Sequence, residues 1–284
     1  EYFLDENVSK WAIGKALFLR GDEFENDWRT LQLPWFVEMS VGRFDQKGGT
    51  LKTKGLKFDS QTFRLGESND RMGKIEVHGP LTMRVEREGI DCRFGIIRAT
   101  GKGDITCSKG NIQVGASKAS VEKVEDESTG TVHRVKQKTI HEVELLKQNG
   151  AKIITGGELD LHNHGGDIIT SFGSVHGNGG VYLYTGDEHT ITNQSGSITS
   201  YNRILLISET LENLIGDVIE FRGHDFDFCR VIAARHRQHP TSGPGIIAST
   251  GGDIAINVRR GHTIGSKILT PKSVRYWNGH SYSE

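Results

Sequence analysis

The sequence predicts an all-β fold, a right-handed parallel β-helix (a β-solenoid) built from irregular coils of roughly 20 residues. Three observations lead there. Glycine is abundant and proline scarce, 36 against 5, which suits many tight turns between short strands and not a flexible linker. Short runs alternate apolar and polar residues, as in Gly49–Gly55, Lys74–Gly79 and Leu81–Glu86, so that each strand has one buried and one wet face. A cassette of Gly, acidic residue, Ile or Leu, then a further residue recurs as Gly103-Asp104-Ile105-Thr106, Gly157-Glu158-Leu159-Asp160, Gly166-Asp167-Ile168-Ile169 and Gly252-Asp253-Ile254-Ala255, with a relaxed copy at Gly180-Val181-Tyr182-Leu183.

Residues 1–40 have a different texture, rich in aromatics (Tyr2, Phe3, Trp11, Phe18, Phe24, Trp28, Trp35, Phe36) and poor in glycine. They read as an N-terminal cap or small packed module, because an open coil would leave strand edges and core exposed. Two local structures stay open there. One is a short helix over Lys10–Leu19 capped by Asn7 or Ser9; the other is a pair of strands. Exposed aromatics in this section would alternatively suit glycan stacking or a protein partner.

The solenoid itself is expected over 41–284. In the cassette, glycine is expected to accept a positive φ at a corner. The apolar residue points inward and stacks on its equivalent in the next coil, and the acidic or Thr neighbour faces water. About ten coils at the inter-strand spacing of roughly 4.8 Å would make a rod of about 50 Å.

One stretch, about 117–147, lacks the cassette. Its first arm is acidic (Glu122, Glu125, Asp126, Glu127) and its second basic (Arg134, Lys136, Lys138), around Ser128-Thr129-Gly130. Opposite charges on facing strands favour a protruding β-hairpin, and Glu122, Glu125, Arg134, Lys136 and Lys138 are its candidate binding residues. A disordered loop is the competing reading.

Composition narrows the function classes. The net charge of −1 argues against broad nucleic-acid binding. No run approaches the ~18 apolar residues of a transmembrane span. Cys92, Cys107 and Cys229 cannot all pair with one another and have no zinc-ligand spacing, so buried free thiols are expected. No cofactor is implied. The chain starts at Glu1 without a signal-peptide pattern and reads as a segment of something larger.

The order Gly103-Asp-Ile-Thr, Gly110-Asn-Ile-Gln-Val, a polar insertion ending near His141-Glu-Val, then Gly150-Ala-Lys-Ile-Ile-Thr-Gly-Gly-Glu-Leu-Asp-Leu resembles the haemagglutinin repeats of filamentous haemagglutinins. The same repeats occur in contact-dependent growth-inhibition toxins and other exoproteins of two-partner secretion. The resemblance covers roughly 95–200, with an echo at Ile246–Ile268; the first 90 residues do not share it. It implies a rod-like, secreted or cell-surface adhesin segment of Gram-negative bacteria, exported with an outer-membrane secretion partner, contacting a cell-surface receptor or glycan, with toxin delivery in some members. It carries over no catalytic residue, so the chain is expected not to be an enzyme.

Other candidates come from side-chain clusters. Gly223–Arg230 followed by Arg235–His239 brings His224, Asp225, Asp227 and His236 close in sequence. These are the catalytic candidates of an alternative reading, a β-helix polysaccharide lyase or hydrolase that uses carboxylates on an exposed sheet. Simple alternation offers another account, with Phe226 and Phe228 facing in. His162 and His164, with His176 and His189 further on, are candidates for a metal-binding or pH-sensing histidine ladder, against the simpler expectation of solvated side chains. Gly177–Gly180 reads as a turn, since it lacks the GK[ST] ending of a phosphate loop. A phage or viral fibre segment is a third reading and would form an obligate trimer.

Overall fold

The computed structural model describes residues 8–13, 16–68, 71–115, 150–214, 245–264, 266–277 and 282–283. Every described element is a strand. An antiparallel hairpin opens the chain: β1 (Val8–Ile13) folds back on β2 (Ala16–Glu25). From β2 onward the pairing is parallel. The first three coils are β2 with β3 (Thr30–Gln32), β4 (Phe36–Gln46) with β5 (Thr50–Thr53), and β6 (Gly55–Leu65) with β7 (Gly73–Val77). The next four each have three strands. These are β8 (Leu81–Val85), β9 (Ile90–Cys92) and β10 (Gly95–Ala99), then β11 (Gly103–Cys107), β12 (Ile112–Gly115) and β13 (Lys152–Thr155). They continue as β14 (Glu158–Asn163), β15 (Ile168–Ser171) and β16 (Ser174–Gly177), then β17 (Gly180–Thr185), β18 (Thr190–Gln194) and β19 (Ser197–Ser200). Two long-strand coils follow, β20 (Ile204–Leu214) with β21 (Ile246–Ser249) and β22 (Ile254–Ile264) with β23 (Lys267–Leu269). A tenth coil begins at β24 (Val274–Trp277), which the short β25 (Tyr282–Ser283) pairs antiparallel.

The result is a β-solenoid with three faces. The long strands β4, β6, β20 and β22 run across the first two faces and bend between them. In β6, for example, Leu56–Ser60 pair with β8, whereas Phe63 and Arg64 pair with β9. The third face is a separate nine-stranded sheet from β3 to β23. Nine coils spaced by about 4.8 Å make a rod of about 43 Å.

Strict alternation explains why the stack has a dry centre. On the third face Leu51, Ile75, Ile97, Ile153, Val175, Ile198 and Ile247 occupy one register column and are all buried. On the first face the matching column runs Leu17, Val37, Leu56, Leu81, Gly103, Leu159, Val181, Ile204 and Ile254. Each inward side chain thus rests on its equivalent one strand spacing away, so apolar area is removed from water continuously along the axis.

Several expectations are corrected. The Lys10–Leu19 helix is not formed; the alternative, a strand pair, is. The parallel stack also starts at Ala16, where Leu17 pairs with Val37 and Leu19 with Met39, well before position 41. The texture there differs because the first coils fill their centre with rings. Phe24 and Phe63 stack on either side of Phe44, each at 5.0 Å, and Phe58 meets Phe44 edge-on at 5.0 Å. Wide inward side chains fill the centre that Leu, Ile and Val fill in the later coils.

The cassette glycines have a different reason from the one expected. None of Gly103, Gly157, Gly166 and Gly252 lies in the left-handed region. They are small because neighbouring coils touch there: a Cβ on Gly166 would lie 2.1 Å from the Gly110 carbonyl oxygen, and one on Gly252 2.4 Å from the Arg203 nitrogen. Among the described residues the left-handed positions are spread over the corners: Gly49, Gly66, Gly115, Phe172 and Ser195 between the second and third faces, and Gly89, Gly110 and Glu188 between the first and second. Of the cassette, the relaxed copy's Gly180 does have a positive φ, +149. Nor does the cassette mark one face. Ile168 is on the second face in register with Ile112 and Ile191, whereas Leu159 and Ile254 are on the first.

Both stretches outside the described residues in mid-chain, 116–149 and 215–244, depart from and rejoin that same second-to-third-face corner. The strands on either side keep their normal partners: Ile112 pairs with Ile168, Ile153 with Val175, Leu211 with Ile191 and Ile247 with Ile198. A corner tolerates extra chain because the ladder hydrogen bonds lie in the flats between corners.

Buried polar groups brace the corners. Asn163 donates from Nδ2 to the carbonyls of Gly110 (3.0 Å) and Asp167 (2.9 Å), tying two coils together. Asn193 Nδ2 donates to Asn213 Oδ1 at 2.9 Å in the same way. Cys92 and Cys107 are buried free thiols. Burial raises both; Cys107 is pushed up to about 11, with the Lys109 backbone acting the other way.

Candidate functional site

Outward side chains on the first face form a second register column, and its C-terminal half builds the candidate site. His162 pairs with Tyr184, Tyr184 with Ile207, Ile207 with Asn257 and Asn257 with Trp277. Alternation forces all five outward, because their neighbours Leu161, Leu183, Leu206 and Ile256 fill the core. The column crosses five coils although its members are distant in sequence.

Two histidines pack against Tyr184. The His162 ring lies 5.8 Å away and tilted, and the His164 ring 6.0 Å away and edge-on. Beyond Tyr184 the surface falls into a cleft of about 700 Å³, within the ~300–1,000 Å³ range of small-molecule sites. Tyr184 and Trp277 stand at its two ends, with Ile207 and Asn257 on its floor. The side wall comes from the bend between the first and second faces, where Glu209 and Arg259 project beside the buried Ser208.

Charge in the wall is organised around Glu209. Its side chain is largely covered; Arg259 Nε lies 3.5 Å from Oε2 and Arg260 Nη2 3.4 Å from Oε1. The Ser208 hydroxyl donates to the Thr210 carbonyl at 2.8 Å and fixes the bend. A smaller hollow of about 370 Å³ adjoins, sharing Asp187, Glu209 and Arg259 with the cleft and adding Glu188 and Arg260 to the same wall. Three carboxylates therefore face two guanidiniums, leaving the cleft close to electrically balanced.

The histidine ladder expected from sequence does not form as one set. His162 and His164 share Tyr184. His189 lies in the turn before β18, 3.7 Å from Asp167 Oδ1. His176 is on the third face, where Nδ1 meets Thr199 Oγ1 at 2.8 Å and Nε2 meets Asn178 Oδ1 at 2.7 Å. The reason is that 25 residues of separation do not amount to one coil here: Asn163 pairs with Thr185 and Ile168 with Ile191, so His164 and His189 fall on either side of a corner. Among the described residues no three His, Cys, Asp or Glu side chains converge as a metal site would require.

Other candidates lie elsewhere. His224, Asp225, Asp227 and His236, with Cys229, are outside the described residues, as are Glu122, Glu125, Arg134, Lys136 and Lys138 of the expected hairpin. Asn178 and Gly179 form a turn between β16 and β17. Trp28 and Trp35 are exposed at the N-terminal end, Trp28 under the guanidinium of Arg71 at 5.0 Å.

Sequence reasoning missed Tyr184, Ile207, Glu209, Asn257 and Trp277. Each is an unremarkable outward residue of its own strand. The one available signal is Tyr182-Leu-Tyr184, two aromatics at alternate, outward positions of one strand. Among the described residues no helix is long and apolar enough to cross a membrane. Compared with protein-family models, curated proteins and solved structures, the chain matches none.

Proposed function

We propose that the chain is a rod-like structural and adhesive segment of a large secreted bacterial surface exoprotein, which holds outward side chains and corner loops at a distance for receptor or host-cell binding. One observation carries the proposal: a dry core stacks without interruption through nine coils. Every outward position of the described strands can therefore vary without disturbing it. A solenoid of this kind supplies length and surface, the two things an adhesive stalk needs. The likeness of 95–200 to haemagglutinin repeats supports the same reading and with it export through an outer-membrane partner.

A carbohydrate-active enzyme is the second reading, favoured by Asp187, Glu188 and Glu209 beside one cleft. Against it, the oxygens of Glu209 are already engaged by Arg259 and Arg260, whereas a general acid must present its proton to the bond being cleaved.

The test uses the purified chain, fluorescently labelled, on cultured epithelial cells and on whole bacteria, with reducing-end release from polysaccharides measured alongside. Saturable cell binding without turnover is expected. Absence of binding, or robust turnover, would overturn the adhesive reading, and an obligate trimer in sedimentation would favour a fibre segment.

A further inference from the structure

We infer that the cleft between Tyr184 and Trp277 is a binding site for a neutral oligosaccharide, an inference that deepens the adhesive reading and rests on it for its biological setting. Four features converge.

The first is the pair of aromatic ends. Tyr184 and Trp277 belong to one register column with Ile207 and Asn257 between them. They are therefore separated by three strand spacings, about 14 Å at roughly 4.8 Å each. An aromatic ring offers an apolar face with a polar edge, which matches a pyranose ring, whose axial C–H faces are apolar and whose rim carries hydroxyls. Two such platforms set apart along a groove fit successive sugars of a chain better than one compact ligand.

The second is rigidity. His162 and His164 brace the Tyr184 ring on the side away from the cleft, and its backbone is paired on both sides. A platform already held in place loses little side-chain freedom when a ligand stacks on it.

The third is the polar lining. Asn257 on the floor offers an amide donor and acceptor, and Glu209 and Arg259 on the wall offer a carboxylate beside a guanidinium. Hydroxyls donate and accept at once, so a wall presenting both kinds of partner within a few ångströms suits a polyol. An extended apolar peptide would give the Asn257 amide no partner, at a cost of about 1–3 kcal/mol.

The fourth is charge. Glu209 is paired by Arg259 and Arg260, Asp187 lines the cleft itself and Glu188 the adjoining hollow. The cleft thus has no cationic excess with which to hold a sulfated or uronic-acid polymer, and the ligand class is neutral.

The experiment is calorimetric titration of the whole chain with cellotetraose, maltotetraose, mannotetraose and N-acetylchitotetraose, followed by the variants Tyr184→Ala, Tyr184→Phe and Trp277→Ala. Thermal melting checks that each variant folds. At least one tetrasaccharide is expected to bind saturably. Tyr184→Ala and Trp277→Ala should weaken it tenfold or more, and Tyr184→Phe, which keeps the platform, less than threefold. Binding by none of the four, or binding that both alanine variants leave intact, overturns the site. If Trp277→Ala fails to fold, the Tyr184 pair alone decides. Cell binding that persists in Tyr184→Ala while no sugar binds removes the saccharide site and leaves the adhesive reading standing. Sugar binding without cell binding does the reverse.

Discussion

Replacing Phe44 with alanine tests how the first coils are held together. Phe44 is 1% exposed and its ring sits at 5.0 Å from each of Phe24, Phe58 and Phe63. Deleting a buried phenylalanine side chain costs about 3–5 kcal/mol. Each aromatic pair contributes a further ~0.5–1.5 kcal/mol beyond its area, so a ring with three partners belongs at the upper end, near 5 kcal/mol. Phe24 is nearly as buried, at 3%, but among the described residues its ring pairs with Phe44 alone. Phe24→Ala should therefore cost about 1–3 kcal/mol less, the worth of two ring pairs. Because each coil touches only its neighbours, the loss should stay local. The assay is urea unfolding of both variants together with hydrogen exchange. Amides of β4 and β6 should lose protection in Phe44→Ala, while those of β14 and β17 keep theirs. Equal costs for the two variants, or protection lost evenly along the rod, would refute the nearest-neighbour account of the aromatic stack.

Three further outcomes are expected. Gly66 has φ +86 and a Cβ there would lie 2.1 Å from the Phe94 carbonyl oxygen; Gly66→Ala should lower stability by at least the ~1–3 kcal/mol of a strained left-handed residue, read by urea midpoint, and an unchanged midpoint would contradict the corner geometry. Stability should fall as pH rises above about 8.5, where an unfolded thiol ionises. Burial raises Cys92 and Cys107, the latter to about 11, so the folded chain keeps protons that the unfolded chain releases. The stabilisation is fully present below that pH and erodes by about 1.4 kcal/mol per pH unit per thiol above it; the Cys92→Ala, Cys107→Ala double variant should flatten the profile, and an equally steep profile would discard the assignment. Finally, Lys102 reaches Asp160 at 2.8 Å and Glu158 at 3.5 Å but is half-exposed, so Lys102→Ala should cost under about 1 kcal/mol, and a larger drop in melting stability would mean that this ladder is structural.

The sequence by itself determined the fold class, because the decisive signals are local. Alternation of inward and outward residues has a period of two and is legible within one strand, as in Gly103–Cys107 or Glu158–Asn163. Small residues at corners announce where the chain turns, and roughly 20-residue recurrence announces stacking. Where the sequence misled, two physical causes could produce one pattern. The cassette glycines suggested positive φ and instead answer to close approach between coils. The aromatic N-terminal section suggested a separate cap, yet Phe24 and Phe44 are the same inward positions filled by rings. Only the tertiary structure decided which outward residues meet. Tyr184, Ile207, Asn257 and Trp277 lie side by side because each falls at the same register of successive coils. The length of every intervening corner sets that register, including the long excursion after Leu214. Corner length is unconstrained by the ladder of hydrogen bonds, so no periodicity in the sequence records it, and a cleft assembled across coils becomes visible only once the stack is built.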